Sequence, residues 1–574
     1  MYKLRLLFPF LMLLFTTAKV SAQPTFPQNG VYDERENCFA FINATIYTSF
    51  NTKIDNATLL IRQGKVESAG TGVTIPKEAV VINAKGKSIY PSFIDLDAAY
   101  GLPEIKGTPQ RGFPGSSQMT SEKKGPFAWN QAMKPEIAAY EMFTPDKKAA
   151  EALLKQGFGS VLTHQHDGIS RGTSALVSLG NGQPHELIIT ERAAHHLSFN
   201  KGSSKQSYPS SLMGSIALIR QTYLDGQWYE KQQQEVNASL KAWNQVQDLP
   251  QFFETRDHLE ALRAHEIAKE FGQKYIIRGS GTEYRRIEAM KATGQAFILP
   301  LDFPEAYDVE NPYDALIVSL AQLKHWELAP ENPARMVEAG IEIALTTNGL
   351  SKPENFLKMV RIAVKRGLSP EDALKALTYT PAQLLGIYQK TGSLEPGKMA
   401  NFFITDGDIF NQQTKIYHHW TQGKPNIFKE LSPAYAEGKY ELNFGGKAYN
   451  LLVKEGKLKI QFDDTTAVDV KSTFSADALT LSFQLPEDTN KIRLSGIIEG
   501  DKWHGKGQDG TGEWLSWHAT LKAKDKPTNE KAKDKKAGEK QTVGPVIYPF
   551  VAHGWKEAPK LKKVLIRNAT VWTN

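Results

Sequence analysis

Cysteine is nearly absent from these 574 residues. Cys38 is the only one, so an intrachain disulfide is impossible and stability has to come from packing. Long apolar runs are equally scarce. Leu6–Phe15 follows Lys3 and Arg5 and precedes Val20-Ser21-Ala22, the order of an export signal over 1–22. Nothing later offers an apolar stretch long enough for a stable membrane anchor. The chain therefore reads as exported, periplasmic or secreted. Net charge is also missing from the folded part, although the formal total is +7. Lys3, Arg5 and Lys19 lie in the signal, and Lys522–Lys540 holds eight lysines against four acids, which leaves the remainder neutral. That excludes a basic nucleic-acid footprint.

What is present is apolar and well patterned, with 41% hydrophobic residues, enough for two or three large cores. Phe39–Ala84 reads as short strands with a turn at Gln63-Gly64-Lys65. From Pro91 to about 390 the pattern changes to helix–strand units. Thr144-Pro145-Asp146 opens a helix and Gly157 stops it before the strand Ser160–Thr163. Similar units end in Tyr275–Ile277, Ala296–Leu301 and Ile341–Thr346. Their repetition predicts a parallel α/β sheet, most simply a closed (β/α)8, TIM-like barrel. Gly101–Pro135 and the helical stretch Leu212–Gln247 interrupt it. Residues 439–523 form a separate β-rich unit, a small sandwich or partial barrel. Its Trp503, Trp514 and Trp517 at strand spacing read first as core and second as a sugar platform. The stretch 524–560 is a charged linker.

Two motifs carry a family resemblance. Pro91-Ser92-Phe93-Ile94-Asp95-Leu96-Asp97-Ala98-Ala99 resembles the first barrel strand of the amidohydrolase superfamily, P-G-F-I-D-x-H-x-H. Thr380-Pro381-Ala382-Gln383-Leu384-Leu385-Gly386, then Gly392–Ala400, resembles the closing segment of the same fold, with Asn401 where aspartate is usual. The resemblance, closest to imidazolonepropionase-like metal-dependent hydrolases, implies a composite β-sandwich from 23–90 and 391–438 beside a barrel over 91–390. It also implies C–N bond hydrolysis of a small molecule or a peptide-like one by water activated on zinc or another divalent metal. Finally, Ile566–Thr573 repeats Phe41–Thr48 almost residue for residue. The segment 561–574 thus reads as the start of a second amidohydrolase-like unit in the same polypeptide.

The family's metal positions are substituted here. Asp97 and Ala99 stand for the paired histidines, Arg278 lies near a later one, and Asn348 replaces the final aspartate, which removes a base. Asp95, Arg278 and Asp302 are expected at the pocket. A relocated metal site would draw on His164 and His166 with Asp167 or Asp97. Paired carboxylates among Asp97, Glu283, Asp302 and Glu305 would suit a glycosidase. His195-His196 face opposite ways on a strand, and His418-His419 read as surface. Three readings follow: a degenerate structural or substrate-gating half of a tandem enzyme, a metal hydrolase with a moved site, or a ligand-binding scaffold. Homo-oligomers are compatible with each.

Overall fold

The computed structural model describes residues 37–105, 121, 123–232, 234–431, 436–454, 457–462, 466–475, 478–486 and 490–524, with 563–565 and 567–570. The export signal and nearly all of the linker lie outside the described residues. So do parts of the loop after Gly101 and of the terminal repeat.

The chain starts with β1 (Cys38–Ser49), β2 (Thr52–Arg62), β3 (Lys65–Gly70), β4 (Val80–Asn83) and β5 (Ser88–Pro91). After Ser92, β6 (Phe93–Ala98) begins a second sheet with β7 (Phe158–Thr163), β8 (Ser170–Ser178) and β9 (Ile188–Ser198). It continues through β10 (Gln251–Glu254), β11 (Tyr275–Arg278), β12 (Phe297–Pro300) and β13 (Ile343–Thr346). The chain then returns to the first sheet as β14 (Phe402–Thr405), β15 (Ile416–Thr421) and β16 (Lys424–Ile427). The first unit is one eight-stranded sheet, ordered β16-β15-β14-β5-β1-β2-β3 with β4 beside β1. Phe41 fixes the join between its early and late halves, lying edge-on to Phe402 at 5.1 Å and to Trp420 at 5.0 Å. Ser92, at the step between the sheets, is tied to the late half by His419 Nε2 at 2.8 Å from its Oγ.

The second sheet runs β6 to β13 in sequence order, and side chains of β13 reach across to β6. Thr346 Oγ1 on β13 donates to Asp95 Oδ1 at 2.6 Å and to the Asp97 carbonyl at 3.2 Å on β6. One buried cluster takes residues from all eight strands, among them Leu96, Leu162, Leu176, Ala194, Phe252, Ile276, Ile298 and Ala344. The sheet therefore curls around its own apolar filling, while the alternate residues face the helices. One expectation is corrected. The sheet is not all parallel, because β8 runs antiparallel to both β7 and β9. Only residues 164–169 join β7 to β8, too few for the crossover that parallel neighbours require.

Residues 438–524 close into an antiparallel barrel of β17 (Gly438–Phe444), β18 (Lys447–Lys454), β19 (Lys457–Gln461), β20 (Ala467–Ser475), β21 (Ala478–Gln484), β22 (Lys491–Glu499), β23 (Lys502–Gln508) and β24 (Trp514–Lys524). Pairing of β17 with β24 removes both free edges, so the unit is neither a sandwich nor a partial barrel. Trp503 and Trp517 are core residues, while Trp514 is 73% exposed. Gly496 makes the room for Trp517, since a Cβ there would sit 2.6 Å from the indole ring. The Trp517 Nε1–H donates to the Ser495 carbonyl at 3.0 Å. Trp517→Ala should destabilise this barrel by about 3–5 kcal/mol, read as a lower urea midpoint for its unfolding step.

Candidate functional site

The site lies at the end of the curled sheet where β6, β7, β11 and β13 finish. Asp95 and Asp97 are both buried on β6, whose pairing with β7 is irregular between Asp95 and Ala98. They do different work. Asp95 is the seam between the first and last strands. Its carboxylate accepts from Thr346 Oγ1 at 2.6 Å, Thr347 Oγ1 at 2.6 Å, Thr347 N at 3.0 Å and Asp97 N at 3.1 Å. Burial pushes its carboxyl up from the usual value, and these hydrogen bonds oppose that rise. Asp95 is thus a structural group and does not line a pocket as expected.

Asp97 is the centre. Its Oδ1 is 2.9 Å from His166 Nε2 and 3.8 Å from His164 Nε2. Its Oδ2 accepts from Asn348 Nδ2 at 2.6 Å and from Arg278 Nε at 3.1 Å. Arg278 also donates to the carbonyls of Gly279 at 3.0 Å and Asn348 at 3.2 Å, which locks its guanidinium in place. Burial alone would raise the Asp97 carboxyl, but His166, His164 and Arg278 hold it well below the usual carboxylate range. Four residues singled out from the sequence, His164, His166, Arg278 and Asn348, are therefore gathered on Asp97. The reversed β8 contributes to this, because the short β7–β8 connection carries both histidines.

The other candidates are placed elsewhere. Asp167 is withdrawn as a metal ligand: it is ion-paired with Lys134 and accepts from Ser203 N at 2.6 Å and Ser203 Oγ at 2.7 Å. Residue 167 follows His166 directly, and its side chain turns to the loop instead of the strand ends. Asp302 is exposed beyond β12, and its carboxyl is raised by partial burial while Arg278 pulls it down. Glu283 is buried against the backbone N–H groups of Ser280 at 2.6 Å and Gly281 at 3.0 Å, as well as Asn332, so it has no free carboxylate face for glycosidase chemistry. His418 and His419 are buried, not at the surface, and His419 accommodates both Ser92 and the Leu154 carbonyl.

His196, which the sequence analysis set aside, and Arg171 and Glu254, which it did not single out, also belong to the site. The two adjacent histidines do face opposite ways. That parity sends His195 to Ser170 and Gln251, and His196 onto His164, with rings stacked at 3.6 Å. His164 also meets His166 edge-on at 4.2 Å. Burial leaves both His164 and His196 far less basic than free imidazole. Glu254, at the end of β10, forms an ion pair with the buried Arg171. A strand-end position was the only signal for Glu254.

Asp97, His164 and His166 offer ligand atoms that all lie within 4.8 Å of one another. In number and type they match the three-ligand set of a catalytic zinc. Their hydrogen bonding does not fit one. An ionised carboxylate only accepts, so the His166 nitrogen facing Asp97 carries a proton here, which a metal ion would have to displace. The other carboxylate oxygen is held by an amide and a guanidinium, whose positive charge already occupies the place of a cation.

A family model described as the amidohydrolase family matches residues 330–434. The chain is 26% identical over 375 residues to an imidazolonepropionase of Flavobacterium psychrophilum, covering 62% of this chain and 86% of that one. It is 29% identical over 326 residues to adenine deaminase 2 of a Jannaschia species, covering 50% and 48% respectively. A solved amidohydrolase structure from Thermotoga maritima shares the fold with a TM-score of 0.55 at 22% identity, spanning 68% of this chain and all of that one.

Asp97→Asn should destabilise the protein by about 3–5 kcal/mol at neutral pH, because it strands the Arg278 charge. The native carboxyl lies below its unfolded value of about 3.9, so this contribution is complete above that pH and disappears as pH falls further. Urea midpoints of wild type and variant should therefore converge below about pH 4. The matched segment and the relatives thus carry a resemblance to the amidohydrolase family, and the solved structure shares the fold.

Proposed function

We propose that this unit is the degenerate, structural or substrate-gating half of an exported tandem amidohydrolase, with C–N hydrolysis residing in a second unit of the same polypeptide. The observation that carries the reading is Arg278 Nε at 3.1 Å from Asp97 Oδ2. At the strand ends where the family places a metal, this chain has a guanidinium–carboxylate pair, completed by Asn348 and His166. Such a site holds shape and binds polar small molecules, but it lacks a polarised water and a carboxylate free to take its proton.

Two observations support the second unit. Asn43 and Asn568, at matching places in the repeated segment, both have positive φ, 61° and 55°. Asparagine tolerates that conformation better than most residues. In the first copy it marks a bulge between Phe41 and Ala44 of β1. In addition, the helix Pro312–Ile317 leaves Tyr313 80%, Leu316 83% and Ile317 77% exposed. Apolar faces of this kind mark docking surfaces, and the second unit is the occupant this reading assigns. Export to the periplasm or medium accords with the signal-like residues 1–22.

The runner-up is a metal hydrolase at Asp97, His164 and His166. Its support is the clustering of the three donors, along with His164 Nδ1 and His196 Nε2, which are buried without hydrogen-bond partners. Zinc retention separates the two. After incubation with zinc and gel filtration, the wild-type protein should keep less than roughly a tenth of an equivalent at this site, and Arg278→Met should bind at least roughly tenfold more tightly. Stoichiometric zinc in wild type that is lost in His166→Ala would establish the runner-up.

A further inference from the structure

The outer wall of the C-terminal barrel carries a second histidine cluster, far from the family site in sequence and built on different principles. His504 of β23 and His518 of β24 are directly opposed in the antiparallel register. Trp503 and Ala519, their neighbours along the strands, are buried in the barrel, so alternation turns both imidazoles outward, and both are exposed. Asn443 of β17 is the register partner of His518 on its other side. Asn443, His518 and His504 therefore form a row across three adjacent strands. Glu441 lies on the same outer face of β17, bonded to Lys522 at 3.1 Å, and the His518 side chain is close enough to lower its carboxyl.

We propose that His504 and His518 form a binding site for a late divalent transition metal, with the Glu441 carboxylate as the adjacent anion. Directly opposed residues of an antiparallel pair hold their Cβ atoms about 4.5–5.5 Å apart. From that spacing, rotation about the exposed side-chain bonds can bring one nitrogen of each ring to the ordinary metal–imidazole distance of about 2.0–2.1 Å from a shared ion. The closed barrel fixes the spacing before any metal arrives, so little ordering is lost on binding. Imidazole pairs of this kind favour copper over nickel and zinc. Solvent completes the coordination shell, so the site is suited to capture of a metal and not to buried catalysis.

The test is a titration of the full-length protein with Cu2+, followed by calorimetry and electron paramagnetic resonance. The expected result is one copper with two imidazole nitrogens in its hyperfine pattern. Affinity should fall at least roughly tenfold in His504→Ala and again in His518→Ala, and hold in the double variant His164→Ala/His166→Ala. Both barrel-wall positions are exposed, so near-ultraviolet circular dichroism should stay unchanged. Copper binding that survives both single substitutions would overturn the proposal. So would binding that disappears only in the His164/His166 variant, which would point instead to the strand-end cluster.

Discussion

The Asp97 carboxylate governs the strand-end site. It is buried, ionised and surrounded by donors: Arg278 and Asn348 on one oxygen, His166 on the other. An isolated carboxylate in such surroundings would cost several kcal/mol and would take up a proton instead. Its partners reverse that outcome. Each is brought in by a different strand: Arg278 by β11, His166 by the turn after β7, and Asn348 by the segment after β13. The carboxylate therefore depends on the curl of the sheet, and the curl is held at this end by what gathers on the carboxylate.

Asp95, two residues earlier, secures that curl by a separate route. Four hydrogen bonds tie it to Thr346, Thr347 and the backbone of Asp97, across the seam where the first strand meets the last. The two aspartates thus divide the roles. One joins the strands, and the other gathers His166, Arg278 and Asn348 at the strand ends. Arg278 is the decisive substitution in physical terms. A guanidinium supplies fixed positive charge and directional donors, but it cannot acidify water as a metal ion does. In the proposed reading, the site is therefore a fixed polar cluster in which the guanidinium takes the place of an electrophile.

Much of this was legible in the sequence, and the gaps have physical causes. The family motifs singled out Asp97, Arg278 and Asn348, and the H-x-H spacing at a strand end singled out His164 and His166; the irregular pairing of β6 between Asp95 and Ala98 was not legible. Asp167 was misjudged because a residue just past a strand end follows the loop, whose direction no periodicity encodes. His196 was discounted although parity correctly separated it from His195, since parity does not say which of the two faces the site. Arg171 and Glu254 were missed because an ion pair between β8 and β10 requires knowing that β8 runs backwards. A buried apolar strand reads the same in either direction. The C-terminal unit showed its alternating strands plainly, but closure depends on β17 meeting β24, a pairing of residues far apart in the chain that leaves no local signature.

The central claim is that Arg278 fills the role of the cation at Asp97. Crystals grown in excess zinc, with diffraction measured on both sides of the zinc absorption edge, test it most directly. The account predicts no anomalous density among Asp97, His164 and His166, with the Arg278 guanidinium still bonded to Asp97. A strong anomalous peak bridging those three side chains, with Arg278 swung away, would contradict it.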